Sequence, residues 1–130
     1  MLFRGCHLAE VLQKIVITGD KGSLQVMGAF DLEVMETYVR RDVAERVGAL
    51  VPYSKRPSVV LAGRDVEIRE FLAVELSIDG ESVDWSCRVV DALSQEVVIG
   101  ACTMRGRHIV VDQVERKAIV ENGSRPDELK

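Results

Sequence analysis

A chain of 130 residues, 47% of them hydrophobic, is long enough to fill one core and too short for two ordinary domains. A formal net charge of -4, with Arg and Lys scattered among acidic residues, argues against a nucleic-acid partner, which would ask for a basic surface. No stretch approaches the roughly 20 apolar residues of a membrane helix, so a soluble protein with no membrane partner is expected.

The opening MLFRGCHLAEVL lacks the apolar run and small-residue cleavage site of a signal peptide. Cys6, Cys87 and Cys102, three in number and widely spaced, suit reduced thiols in a cytoplasmic protein better than a disulfide frame. Residues 1–10 read as an N-terminal lead, 11–121 as the domain, and 122–130 (NGSRPDELK) as a loose polar tail. Segments 11–18 (VLQKIVIT) and 23–30 (SLQVMGAF) flank Gly19-Asp20-Lys21-Gly22, the turn chemistry of a hairpin. Leu24, Val26, Gly28 and Phe30 share one face, and Asp31 follows where the strand leaves the core, which predicts a buried carboxylate there. From Tyr38 to Val47, Val39, Val43 and Val47 recur at helical spacing beside Ala44, with Arg40, Arg41, Asp42, Glu45 and Arg46 on the solvated side. A helix is therefore predicted over 38–47, with Gly48 as its left-handed cap.

Residues 58–62 (SVVLA) form a short β-branched run that stops at Gly63-Arg64-Asp65. Residues 66–78 then alternate, with Val66, Ile68, Leu72, Val74, Leu76 and Ile78 in phase and a bend or bulge expected near Glu70. Asp79-Gly80 closes a hairpin onto 82–90, where Val83, Trp85, Cys87 and Val89 share a face. Val97-Val98-Ile99-Gly100 is an apolar run ending in Gly, followed by ACTMRGR and then HIVVD at 108–112.

The stretch from Phe30 to Val39 resembles the active-site segment of the retropepsin-like aspartic proteases, in which a strand delivers Asp-Thr/Ser-Gly-Ala-Ser and a Tyr/Val-rich segment enters a helix. Phe30, Asp31, Thr37, Tyr38 and Val39 fall on the family's positions without a gap. Leu32, Glu33, Val34 and Met35 stand where Thr or Ser, Gly, Ala and Ser belong. A second resemblance lies at Ile99 and Gly100, which match the family's apolar-apolar-Gly strand end, with 101–105 as the helix after it, 109–112 as the next strand and 114–121 as the closing one. The resemblance spans 11–120 and implies an all-β, single-lobe acid-protease barrel with one main short helix. It implies Asp31 as the catalytic position, Leu32, Glu33, Val34 and Met35 as the active-site loop, and Ile99 and Gly100 as support for the cleft. The hairpin around Gly63, Arg64 and Asp65 is a candidate for the family's flap, with a plain surface turn as the equal alternative. Because one lobe supplies one aspartate, it also implies a homodimer with a cleft on the two-fold axis.

In the family mechanism two carboxylates about 3 Å apart hold one proton, polarise the peptide carbonyl and activate a water. Glu33 lacks the small size of glycine, Leu32 lacks the hydroxyl that locks the two loops together, and Met35 offers only a thioether. The expectation is a degenerate member that binds extended peptides without cutting them or serves as a structural dimer or assembly module. The alternative is an active aspartic endopeptidase using Asp31 from each subunit. Taken without the resemblance, Asp31 is a loop-capping carboxylate that accepts backbone N–H groups. Asp112 reads in the same way, with Arg105, Arg107 or an N–H group as partner. Arg40, Arg41 and Arg46 read as a solvated helix face, and Trp85 as core or flap-edge packing. His7 and His108 lack zinc spacing, and no metal or cofactor is expected.

Overall fold

The computed structural model describes residues 10–121; the tail, Cys6 and His7 lie outside them. Strand β1 (Glu10–Gly19) turns through Asp20-Lys21 and pairs along its whole length with β2 (Gly22–Asp31), from Gly19 opposite Gly22 to Glu10 opposite Asp31. Then follow β3 (Tyr38–Arg40), α1 (Arg41–Val47), β4 (Val51–Pro52), β5 (Ser58–Leu61), β6 (Arg64–Glu67), β7 (Glu70–Ile78) and β8 (Glu81–Val90). The chain continues through β9 (Val97–Ile99), α2 (Ala101–Gly106), β10 (Ile109–Asp112) and β11 (Lys117–Val120).

The main sheet has the order β1-β2-β9-β3-β8-β7-β4, and β1 also pairs with β7 through Val16–Ser77, Ile17–Leu76 and Thr18–Glu75. That pairing closes β1, β2, β9, β3, β8 and β7 into a six-stranded barrel, which removes its free edges. Inward-facing residues of every second position fill it, among them Val11, Ile15, Ile17, Val26, Phe30, Leu72, Leu76, Cys87 and Ile99. Val43, Ala44 and Val47 of α1 join the same core. A second, smaller cluster of Tyr38, Ile68 and Val90 packs with Val34, Val59, Leu61, Val66 and Leu93, and it seats the separate β5–β6 hairpin over the end of β2.

Several expectations need correction. Tyr38, Val39 and Arg40 are strand, not helix, because β3 sits between β8 and β9 and bonds to both (Tyr38 opposite Arg88 and Val98). Gly48 is extended (φ -168°, ψ 176°) and not left-handed; its N–H completes the last helical bond to the Ala44 carbonyl. The run 66–78 is two strands, broken at Ile68-Arg69, where the Ile68 N–H turns to the Pro57 carbonyl. The flap-like turn is centred on Ala62 and Gly63 (φ 52° and 76°), so Arg64 and Asp65 already belong to β6. The closing strand is β11 alone, after a turn in which the Asp112 carboxylate accepts the Val114 and Glu115 N–H groups at 3.0 and 3.1 Å. At Asp79-Gly80 both residues have positive φ (51° and 86°), as a two-residue hairpin of this kind demands. Trp85 is half-buried under the Arg107 guanidinium, 5.2 Å from the ring centroid, in a groove none of whose lining residues belongs to the β5–β6 hairpin. Among the described residues no helix is long and apolar enough to cross a membrane.

Arg41 is not a solvated side chain. It donates to Asp91 just beyond β8 and to Glu70 at the start of β7 (2.7 Å), and Arg69 donates to the same Asp91 at 2.9 Å. The Arg41 guanidinium holds the Asp91 carboxyl below its usual range. A carboxyl whose pKa is depressed by folding stabilises the fold above its unfolded pKa, and that stability is lost as pH falls through the folded value. Arg41→Gln should therefore cost about 1 kcal/mol at neutral pH, a figure kept small because Asp91 is well exposed. The difference in Tm between variant and parent should hold above about pH 5 and shrink through pH 4 and below. A difference that persisted at pH 2 would assign the effect to lost packing of the arginine stem.

Candidate active-site cleft

Phe30, fully buried, anchors the end of β2 beside Ile99 of β9. Asp31 ends the strand and borders the open cleft beneath the β5–β6 hairpin, so its carboxylate is half-buried, in contrast to the buried group expected from the sequence. Its Oδ1 accepts the Glu33 N–H at 2.9 Å and its carbonyl accepts the Val34 N–H at 3.3 Å. Asp31 thus caps its own loop, as the plain reading of an Asp at a strand end anticipates. The next residues alternate in exposure: Leu32 and Met35 are about half exposed and Glu33 is exposed, while Val34 turns in to the second cluster.

From beneath, the loop is held by the start of α2. The Ala101 N–H donates to the Val34 carbonyl at 2.6 Å, and the Cys102 N–H donates to the Met35 carbonyl at 2.9 Å. The Gly100 N–H donates to the Thr37 hydroxyl at 3.0 Å, and that hydroxyl lies 2.5 Å from the hydroxyl of Thr103, both threonines being buried. Gly100 permits this approach, since a Cβ there would lie 2.2 Å from the Glu36 carbonyl oxygen and 2.7 Å from the Met35 carbonyl. Gly100 thus lies directly against the Met35 and Glu36 backbone of the loop.

Above the loop lies the β5–β6 hairpin. A cavity of about 370 Å³ separates the two, walled by Asp31, Val34, Tyr38, Leu61, Arg64, Val66, Val90 and Val98. A wider mouth of about 600 Å³ adjoins it, bordered by Asp31, Glu33, Met35, Glu36, Val60, Leu61 and Arg88. The structure thus joins Asp31, Leu61, Ala62 and Arg64 at one cleft, whereas Gly63 and Asp65 sit on the hairpin without lining it.

The sequence reading passed over Tyr38, Arg88 and the two threonines. Tyr38 has its hydroxyl pKa raised, chiefly by burial, with the positive charge of nearby Arg88 opposing the rise. Arg88 falls at an outward position of β8, where an alternating pattern reads as solvent-facing. Thr37 fell on a family position, but its partner Thr103 carries no local signal. Cys87 and Cys102 are free thiols; burial pushes the Cys87 thiol up to about 12, which leaves it inert. Among the described residues no group of three or more His, Cys, Asp or Glu is arranged to hold a metal.

The crystal structure of the retroviral protease-like domain of Ddi1 from Leishmania major superposes with a TM-score of 0.67 at 18% identity, covering 86% of this chain and 90% of that one. The EIAV protease complexed with the inhibitor HBY-793 superposes with a TM-score of 0.59 at 11% identity, covering 82% and 93%. No protein-family model matches the sequence, and no curated protein matches it. The likeness is one of fold: an all-β retropepsin-like barrel with one main short helix.

Proposed function

We propose that this retropepsin-fold chain acts as a homodimer that binds an extended peptide between the β5–β6 hairpin and the Asp31 loop and does not cut it. The observation that carries the reading is the loop itself. Its support from Gly100, Thr37 and α2 and the apolar cavity under the hairpin are intact, while the groups that chemistry would need are replaced. The two-carboxylate mechanism needs a pair of aspartates in close approach. Glu33 brings a side chain and a charge to the position of the family's glycine, and Asp31 spends one oxygen on the Glu33 N–H. Binding asks for less. An extended segment would add to the free edge of β5 and place alternate side chains in the cavity. Exposed Leu32 and Met35 would be covered by the second copy at the axis. The same apolar loop fits a purely structural dimer, and free thiols fit a reducing cytoplasm.

Retention of Asp31 favours the rival reading, an active aspartic endopeptidase with Asp31 from each subunit. Both are tested by incubating a mixed peptide library with the protein from about pH 3 to 7, the range in which a shared-proton pair changes state. Asp31→Asn serves as control, and sedimentation is used to confirm a folded dimer. The expected result is binding without cleavage. Cutting that disappears in Asp31→Asn would make the protein a protease with an unusual loop, and a folded monomer would remove the dimer.

A further inference from the structure

Charge is balanced at one end of the cleft and unbalanced at the other. Toward α1, the carboxylates of Asp91 and Glu70 are met by Arg41 and Arg69. At the mouth between β5 and the loop, Asp31, Glu33 and Glu36 face a single guanidinium, Arg88. Among the described residues none of these three carboxylates has an ion-pair partner. The mouth opens directly into the apolar cavity, since Asp31, Val34, Tyr38 and Leu61 line both.

Resting on the peptide-binding reading, we infer that the peptide taken by this cleft is cationic, with an apolar side chain under the hairpin and a Lys or Arg two places away at the mouth. In an extended strand, successive side chains stand about 3.3 Å apart along the chain and point to opposite faces. A peptide that buries one apolar side chain therefore turns the residues two places away toward the same wall of the cleft, where the mouth lies. The aliphatic stem of Lys or Arg would lie along Leu61 and Val34, with its charged head among the three carboxylates. An acidic residue in that place would meet three like charges and a single cation, Arg88.

The test uses two fluorescein-labelled libraries of eight-residue peptides with a fixed central Leu, one carrying Lys and the other Glu two places to either side of it. Anisotropy is read at low and high salt with the full chain. At low salt the Lys library should bind about fivefold more tightly, the scale of a few partly exposed ion pairs, and its advantage should fade at high salt. In Glu33→Gln/Glu36→Gln the Lys-to-Glu affinity ratio should fall toward one. Equal or tighter binding of the Glu library, or a ratio indifferent to both salt and the double substitution, would overturn the charge preference while leaving peptide binding in place. Failure of both libraries, and of a random one, would remove the peptide-binding reading beneath it.

Discussion

Gly100→Ala should destabilise the domain by about 3 kcal/mol or more, at the upper end of overpacking changes, because nothing near the new methyl group can move aside. The atoms in its way are backbone: the Glu36 carbonyl oxygen at 2.2 Å and the Met35 carbonyl at 2.7 Å. Those same peptide units accept or adjoin the bonds from Ala101 and Cys102, so shifting them breaks the seat of the Asp31 loop. For a domain of this size the loss should lower Tm by more than about 10 °C. On the proposed reading, peptide binding should be lost as well, even well below the transition. Gly63→Ala is the comparison. That residue also has no side chain to lose and sits at φ 76°, yet its Cβ would meet nothing within 4 Å, so only backbone strain of about 1 kcal/mol is expected. If the two variants melt within a few degrees of each other, the loop is not clamped by the start of α2.

The parts of the fold that were legible are those whose signal is local. Strands β1, β2, β7 and β8 each bury one face, so alternation marks them, and Asp79-Gly80 announces its own turn. The barrel order was not legible from periodicity. It depends on the parallel pairings of β2 with β9 and β3 with β8, three residue pairs each between segments far apart in the chain. The resemblance supplied a barrel but not its strand order. Strand β3 was misread because three residues are too few to show a period of two, while Val39, Val43 and Val47 satisfy a helical spacing by chance. At the site, the motif singled out Asp31, Ile99 and Gly100, and the structure places the Gly100 N–H on Thr37 and Asp31 at the end of β2. The burial expected for Asp31 failed because it ends β2 and borders the open cleft beneath the hairpin. Arg41 and Arg88 were missed for a common reason: a charged residue at an outward position reads as solvated until the carboxylate or hydroxyl that meets it is known.

Thr37→Val should cost about 2–3 kcal/mol although it barely changes the volume, because it removes the acceptor of a buried N–H and the partner of a buried hydroxyl. The Thr37 oxygen accepts from Gly100 at 3.0 Å and shares a second hydrogen bond with the Thr103 hydroxyl 2.5 Å away, in which either can be the donor. Thr103→Val alone should cost about 1 kcal/mol, since Thr37 keeps its bond to Gly100. The double variant should lose about 1 kcal/mol less than the sum of the two, as the threonine pair can be broken only once. Thr37→Ser keeps the hydroxyl and should lose only the contribution of one methyl group, about 1 kcal/mol. Urea unfolding of the four variants measures all of this. Equal costs for Thr37→Val and Thr37→Ser would mean that the methyl group matters and the hydroxyl does not. With the hydroxyl as the clamp, Thr37→Val also frees the carbonyls of Val34 and Met35 to drift from α2, so its peptide affinity should fall further than that of Thr37→Ser even where both are fully folded.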